Sequence, residues 1–574
     1  MADFHVPVDD ISFVLFEVLQ APTQLAALPV MAEADAPLLR QVLEEMGRFI
    51  DGSIAPLNQS GDAVGARWQQ GAVTSPPGFR EAYQAFWQGG WPALAAAPEH
   101  GGQGLPAALE AVLYENLAGA NHGFTMAPGL LHGAYECLRH HGSAALQAQY
   151  LEKIASGEWL ATMCLTEAQA GSDLGLCATR ALPQTDGTHR ISGTKIFISG
   201  GEQDLSENIV HLVLAREPGA PAGPKGLSLF LVPKFYPDGT RSPVVCDGIE
   251  EKMGLHASPT CVLRFDAATG WIVGHPGQGL NAMFVMMNAA RLHVALQGVG
   301  LLEAAWQKAD AYARERCQMR APGAGSTSLL IEHPAMRRIL DTQRVWVDAG
   351  RVLAYQTALE LAIARQHPDA DRRAQAERWC RLATPVLKAA FTHQAFHGGS
   401  DCLQVLGGHG YVREAGIEQH LRDARVAMIY EGTNEIQAID LLLRKVLPDG
   451  GAALCALLQA LQTDLGQSAL APRVGEGMAR LQSLTLALAS ACASDTRLTY
   501  EVADDYLRAL AMVLLGWAAT RIDAAAVVAP EPQRWQAPVQ ALARWVWPEF
   551  AMRCAIIEDG LSLRLSRQAH DAPQ

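Results

Sequence analysis

The 574-residue sequence has 11 cysteines but no Cys-x-x-Cys pair. An odd, scattered set offers neither zinc-ligand spacing nor a disulfide framework, and suits a reducing compartment. No run of five or more basic residues occurs, and the formal net charge is −14. That balance excludes an electrostatic grip on a nucleic-acid backbone unless a local patch overrides it. The C-terminal arginines Arg534, Arg544, Arg553, Arg564 and Arg567 are interleaved with Glu531, Glu549, Glu558 and Asp559, so no such patch is expected there. No apolar stretch has the length a bilayer demands; the most apolar, Ala509–Thr520, lies between Arg508 and Arg521. Met1 to His5 lack a basic segment followed by an apolar core, so no signal peptide is read there. His140-His141 has no acidic or cysteine partner at ligand spacing, so no metal is expected. Fixed-period repeats and low-complexity tracts are also missing. These absences predict a cytoplasmic protein with no integral membrane segment and no nucleic-acid partner.

What is present is a large buried core. Hydrophobic residues make up 49% and charged residues 18% of the chain, and this length calls for several sub-domains. An N-terminal segment, Phe13–Gln20, is amphipathic. From Leu38 to His141, helix-like runs alternate with Gly/Pro punctuation, and the stretch reads as all-helical. The texture changes near Trp159. Lys195–Ser199, Ile209–Ala215, Leu227–Val232 and Cys261–Phe265 are short, rich in β-branched or large apolar residues, and mostly bounded by Gly, Pro or Asp. Helical period returns over Gly279–Arg316, Ala335–Gln366, Asp371–Phe396 and Glu435–Val446. Asp449-Gly450-Gly451 reads as a linker to further Ala/Leu-rich helices. The predicted fold is α+β. It comprises an N-terminal segment and helical domain (1–159), a central antiparallel β-domain (160–274), a C-terminal helical bundle (275–448) and an appended helical extension (449–574).

Five motifs carry candidate chemistry, each open to a plainer reading. Thr166–Asp173 follows an apolar run with glycine and hydroxyls that let backbone and side chains meet a ligand; a strand-ending loop has the same letters. Lys195–Gly201 sets Phe197 and Ser199 two apart on one strand face, an aromatic plane beside a hydroxyl, or simply a half-buried strand ending in Gly-Gly. Arg291 sits among apolar residues on a long helix and needs a carboxylate, a phosphate or water. Gln404–Gly410 is a glycine-rich turn without the dinucleotide fingerprint. Tyr430-Glu431-Gly432-Thr433 precedes a helix that Thr433 can cap, with Glu435 in its first turn. Glu431 is thus a loop carboxylate that the helix does not use.

In this order and spacing, the motifs resemble those of the acyl-CoA dehydrogenase family. Pro98–Gly104 looks like its helical-domain loop. Leu165-Thr166-Glu167 with Ala170–Asp173 looks like its first signature; Gln404–Gly410, Arg422-Asp423-Ala424 and Tyr430–Thr433 look like its second. The resemblance spans about Leu38 to Val446. Asp10–Gln20, Glu251–Gly254, Ser258–Cys261, Met286–Arg291 and the C-terminal extension are similar to a larger bacterial branch. That branch includes 3-methylmercaptopropionyl-CoA and long-chain acyl-CoA dehydrogenases.

The resemblance implies FAD as cofactor, lined by Met163, Leu165, Thr166, Phe197 and Ser199. Arg316, Gln404, Gly407 and Gly408 match positions that reach the FAD of a neighbouring subunit, hence a homodimer or dimer of dimers. Thr433 and Glu435 match positions near the FAD phosphates or adenosine, and Ser172, Asn288 and Arg291 match contacts to acyl-CoA. Glu431 matches the catalytic base. Two departures stand out: Met319-Arg320 replace a Phe-Gly pair common after the counterpart of Arg316, and Asn288 stands where many relatives have Asp.

The implied reaction is α,β-desaturation of an acyl-CoA thioester. A weakly acidic α-proton needs a positioned base and a stabilised enolate oxygen. The resemblance supplies Glu431 as base, with its own N–H and a flavin ribityl hydroxyl as donors to that oxygen. The β-hydrogen leaves as hydride to the flavin, and electrons pass to electron-transfer flavoprotein. Desolvation by a bound acyl chain can raise a carboxyl by up to about 3–5 pKa units, outweighing a helix dipole worth about 0.3–1 kcal/mol. An acyl-CoA oxidase, or a flavoprotein that binds nucleic acid, are the alternatives. Acyl chain length is not encoded in any motif.

Overall fold

A computed structural model describes residues 4–31, 34–492 and 496–571, with side chains through residue 563. The chain divides into two compact units: Arg48–Glu110 with Asn116–His293, and Met1–Gly47 with Ala111–Glu115 and Val294–Gln574.

The first of these carries the strands. β1 (Arg67–Gln69) and β2 (Ala72–Thr74) form an antiparallel hairpin inside the stretch expected to be all-helical. Its turn residues Gln70 and Gly71 have φ of 49° and 85°, the positive pair that two-residue hairpins favour. Gln-Gly lacks the Asn-Gly or Asp-Gly signal, and the strands are three residues each, so periodicity had nothing to register. The Trp68 indole N–H anchors the hairpin by donating to the Cys246 carbonyl at 2.9 Å.

The main sheet contains β3 (Leu160–Cys164), β4 (Arg180–Pro183), β5 (His189–Ser199), β6 (Ile209–Arg216), β7 (Leu227–Pro233), β8 (Val244–Ile249) and β9 (Thr260–Val273). The pairings β6–β7, β7–β9, β9–β5, β5–β4 and β4–β6 return on themselves, with β3 added beside β6 and β8 beside β9. Most ladders are antiparallel as expected, but β3 and β4 both lie parallel to β6. β6 and β7 are buried almost throughout, which explains their unbroken apolar runs. His211 on β6 is buried and bonded to the Thr162 hydroxyl at 2.8 Å. Burial pushes its imidazole down to about 3, so it is neutral at physiological pH.

The other unit is helical. The helices needed below are α1 (Ala107–Thr125), α2 (Gly279–Glu315), α3 (Pro334–Gln366), α4 (Ala370–Val405), α5 (Asn434–Ile439), α6 (Thr496–Ala525), α7 (Pro532–Ala541) and α8 (Pro548–Asp571). Residues 111–115 of α1 and 294–315 of α2 belong to this unit. Gly298 of α2 meets α4 so closely that a Cβ there would stand 2.7 Å from the Phe391 carbonyl oxygen.

A buried ionic network runs through the bundle. Arg351 of α3 donates from Nε to Glu115 at 2.7 Å and faces Glu303 of α2 at 2.9 Å. Arg344 bonds Glu303 at 2.6 Å and Asp348 at 2.9 Å. Asp348 in turn meets Arg534 of α7 at 2.7 Å, and Arg534 reaches back to Asp10 at 2.5 Å. Beside that contact, Phe13 stacks on Trp535 with ring centroids 4.1 Å apart. Arg534 therefore ties the C-terminal extension both to the N-terminal segment and to α3.

α6 holds the most apolar run. By length and composition it could cross a membrane, but 67% of its apolar window is buried within the protein. Trp517 packs against Trp379 of α4 at 5.4 Å. At the flanks of the run, Arg508 pairs with Glu549 of α8 at 2.8 Å and Arg521 donates to the Val18 carbonyl at 2.8 Å. It is a core helix of the bundle.

Candidate functional site

The strand-bearing unit gathers Met163, Leu165, Thr166, Phe197 and Ser199 around the ends of β3 and β5. Met163 lies on β3, and Leu165 and Thr166 follow it. The Thr166 carbonyl accepts the Ile196 N–H at 2.9 Å, which ties this loop to the end of β5. β5 is not a regular strand there. Its pairing with β9 slips between Lys195 and Ile198, and Phe197 has φ of 59°. This bulge inserts one residue, so Lys195 and Ile198, three apart, both turn into the core. Phe197 and Ser199 flank Ile198; Phe197 is 58% exposed and Ser199 is half-buried. A large exposed aromatic on strained backbone is costly unless something covers it.

Glu167 has a different task from its neighbours. Its N–H and carbonyl exchange bonds with Ala170 at 3.0 and 2.9 Å, closing a tight loop. The buried carboxylate accepts from Lys195 Nζ at 2.7 Å, Thr179 Oγ1 at 2.7 Å, and the Ala178 and Thr179 N–H groups at 2.7 and 3.1 Å. Lys195 is fully buried and also donates to the Leu165 carbonyl at 3.0 Å. Burial would raise the Glu167 carboxyl, but the Lys195 charge and these hydrogen bonds bring it down to about 2. The signature's glutamate is thus a fastener beneath the loop that carries Leu165 and Thr166.

A folded-state value below the usual carboxylate range stabilises the fold above about pH 4.5, and that contribution is lost as pH falls toward 2. Lys195→Met should destabilise the protein by about 3–5 kcal/mol at neutral pH, since it strands a buried carboxylate. In urea titrations the gap to wild type should narrow below about pH 4.5 as Glu167 protonates. A gap of equal size at acid and neutral pH would rule out this role.

The candidate acyl-CoA contacts in this unit differ in exposure. Ser172 is exposed in the loop after Ala170, Asn288 is exposed on α2, and Arg291 one turn later is buried.

In the helical unit, Arg316 follows the end of α2 and is exposed, as are Gln404, Gly407 and Gly408 at the end of α4. Tyr312 and His409 hold the two ends together at 3.1 Å. A Cβ built at Gly407 or Gly408 meets nothing within 4 Å. Met319 is 79% exposed with φ of 55°.

Glu431 lies in the turn before α5. Its φ is 55°, followed by 83° at Gly432; a non-glycine in this region costs about 1–2 kcal/mol. Thr433 caps α5, its hydroxyl oxygen accepting the Ile436 N–H at 3.3 Å. The capping job is therefore taken, and Glu431 is half-buried. The preceding Tyr430 donates to Gln297 of α2 at 2.5 Å. Burial first, then the charges of Glu431 and Asp423, hold the Tyr430 hydroxyl far above its usual range, so it stays protonated. Glu435 is exposed, and its charge reaches Asp504 of α6, helping burial to raise that carboxyl.

Four supporting residues went unread in the sequence: Lys388, Asn434 and Gln437, which grip the turn, and Gln297. One signal existed for Lys388, a lone cation inside the apolar run Val386–Phe391.

Residues 38–158, 162–268 and 277–446 match the N-terminal, middle and C-terminal domains of acyl-CoA dehydrogenases. The chain is 41% identical over 529 residues to the 3-methylmercaptopropionyl-CoA dehydrogenase of Ruegeria pomeroyi, covering 90% of each. It is 33% identical over 566 residues to the broad-specificity linear acyl-CoA dehydrogenase FadE5 of Mycobacterium tuberculosis, covering 92% of this chain and 91% of that one. Its fold matches an acyl-CoA dehydrogenase complexed with FAD from Bacillus anthracis with a TM-score of 0.75 at 20% identity, over 92% of this chain and 88% of that one. Caenorhabditis elegans ACDH-11 in complex with C11-CoA gives a TM-score of 0.79 at 20% identity, over 95% and 93%. With three consecutive domains matched and a relative this similar along nearly its whole length, the chain belongs to the acyl-CoA dehydrogenase family.

Proposed function

We propose that the protein catalyses FAD-dependent α,β-desaturation of an acyl-CoA thioester to the 2-enoyl-CoA, with Glu431 removing the α-proton. The observation that carries this reading is the left-handed Glu431. A carboxylate is held on strained backbone beside a helix that another residue already caps, which is where a base rather than a structural group belongs.

The exposed Phe197 and the adjoining Thr166 and Ser199 fit a planar heterocycle with polar edges. Met163, Leu165, Thr166, Phe197 and Ser199 would line the flavin. FAD, when bound, accepts the β-hydrogen as hydride. Thr433 accepts a bond from Ile436, so its hydroxyl hydrogen is available to a phosphate oxygen. Glu435 would repel a phosphate and suits an adenosine hydroxyl instead. The exposed Arg316, Gln404, Gly407 and Gly408 suit contacts to the FAD of a second copy, in a homodimer or dimer of dimers. Ser172, Asn288 and Arg291 would hold the acyl-CoA; asparagine at 288 is neutral and does not repel the coenzyme's phosphates. Electron-transfer flavoprotein is the proposed acceptor, in the cytoplasm.

Mixing the FAD-loaded protein anaerobically with acyl-CoAs of graded length should bleach the flavin with at least one of them. Reoxidation should be faster with electron-transfer flavoprotein than with air. A flavin that no acyl-CoA bleaches would sink the reading; faster reoxidation by oxygen would make the protein an oxidase.

A further inference from the structure

Lys388 lies on α4 between apolar neighbours and is fully buried. Burying an ammonium is costly unless its donors are used. Lys388 Nζ donates to the Gly432 carbonyl at 2.7 Å and to Asn434 Oδ1 at 3.0 Å. One turn along the same helix, the Thr392 hydroxyl donates to the same Asn434 oxygen at 3.2 Å. Asn434 Nδ2 returns a bond to the Ala389 carbonyl at 3.1 Å. From the other side, Gln437 of α5, also fully buried, donates to the Glu431 carbonyl at 3.1 Å. Two successive carbonyls, those of Glu431 and Gly432, are thus each held by a buried side-chain donor. These bonds fix the peptide planes after Glu431, while Tyr430 and Gln297 fix the residue before it. Gly432 has no room for a side chain: a Cβ there would lie 2.7 Å from Gln437 Nε2.

Resting on the reading of Glu431 as base, we propose that Lys388 and Gln437 are positioning residues for proton abstraction. They hold the left-handed Glu431–Gly432 turn so that the carboxylate and the Glu431 N–H stay in the geometry the reaction uses. A relaxed turn would move both reacting groups at once. Displacements of about 1 Å at a reacting group cost on the order of 100-fold in rate.

The test uses the FAD-loaded protein and an acyl-CoA that bleaches it. Lys388→Met and Gln437→Met remove one donor each at similar volume. Both should lower kcat by about 100-fold with KM and flavin content nearly unchanged. The kinetic isotope effect from deuterium at the substrate α-carbon should grow, because proton abstraction becomes more rate-limiting. A merely structural role predicts a lower melting temperature with an unchanged isotope effect in the folded fraction, and that result overturns the proposal. If Lys388→Met does not fold, Gln437→Met decides alone. Glu431→Gln is run alongside. If it is active, the base assignment fails. If it is inactive while both methionine variants keep wild-type kcat and isotope effect, only the positioning role fails.

Discussion

Turnover by Glu431→Gln should fall by about 10²–10⁴-fold, the range for loss of a general base, with FAD content unchanged. The substitution is nearly isosteric and leaves the backbone contacts of the turn in place. Among those contacts, the Glu431 carbonyl accepts from Gln437 and the Gly432 carbonyl from Lys388. Thr433 continues to cap α5. The amide therefore removes the proton acceptor while sparing the features that shape the turn. The measurement is the rate of anaerobic flavin bleaching per bound FAD. A rate within tenfold of wild type would mean that another group takes the α-proton. The effect should be confined to the chemical step, so FAD binding and acyl-CoA affinity serve as internal controls.

Arg351→Met should destabilise the helical unit by about 3–5 kcal/mol, the usual cost of leaving buried charges without their partner. Arg351 stands between Glu115 and Glu303, all three within 1% of complete burial. The two carboxylates are not equivalent. Burial works against ionisation of both, but Glu303 has two guanidinium groups, Arg344 and Arg351, and is held well below the usual carboxylate range. Glu115 has Arg351 and the Tyr355 hydroxyl; burial outweighs them and pushes it up. Losing Arg351 therefore strands Glu115 first. A second change, Glu115→Gln, should recover part of the loss, and the two substitutions should be non-additive. Urea midpoints of wild type, both single variants and the double variant give the coupling; a single-variant loss under about 1 kcal/mol would show that the network is not held this way.

Long elements were legible because each has many periods. The helix read as Gly279–Arg316 ends one residue earlier, and the one read from Ala335 starts one residue earlier. The strands β6 and β7 announced themselves as unbroken apolar runs. What escaped was short or tertiary. Three-residue strands carry no period, and the bulge at Phe197 reverses the alternation that two-residue spacing assumes. Glu167 looked like a ligand-loop residue, because the lysine that claims it lies 28 positions away. Glu431 stood out as a carboxylate left over after Thr433 had capped the helix, and as the match to the base of the family that the motifs resemble; that its backbone is left-handed, and that Lys388 and Gln437 hold it, depend on packing between α4 and α5. A lone lysine in an apolar helical run is a usable signal for such a support.

The pairing of Asp10 with Arg534 joins residues 524 positions apart. During synthesis, Asp10 has no partner at α7 until residue 534 has left the ribosome. Until then Asp10 and Asp348 share no cation at α7, and the Phe13 ring has no Trp535 to cover it. Such distant contacts are expected to close late in folding. The nascent chain therefore carries Asp10 and Phe13 without these two partners until α7 has been made.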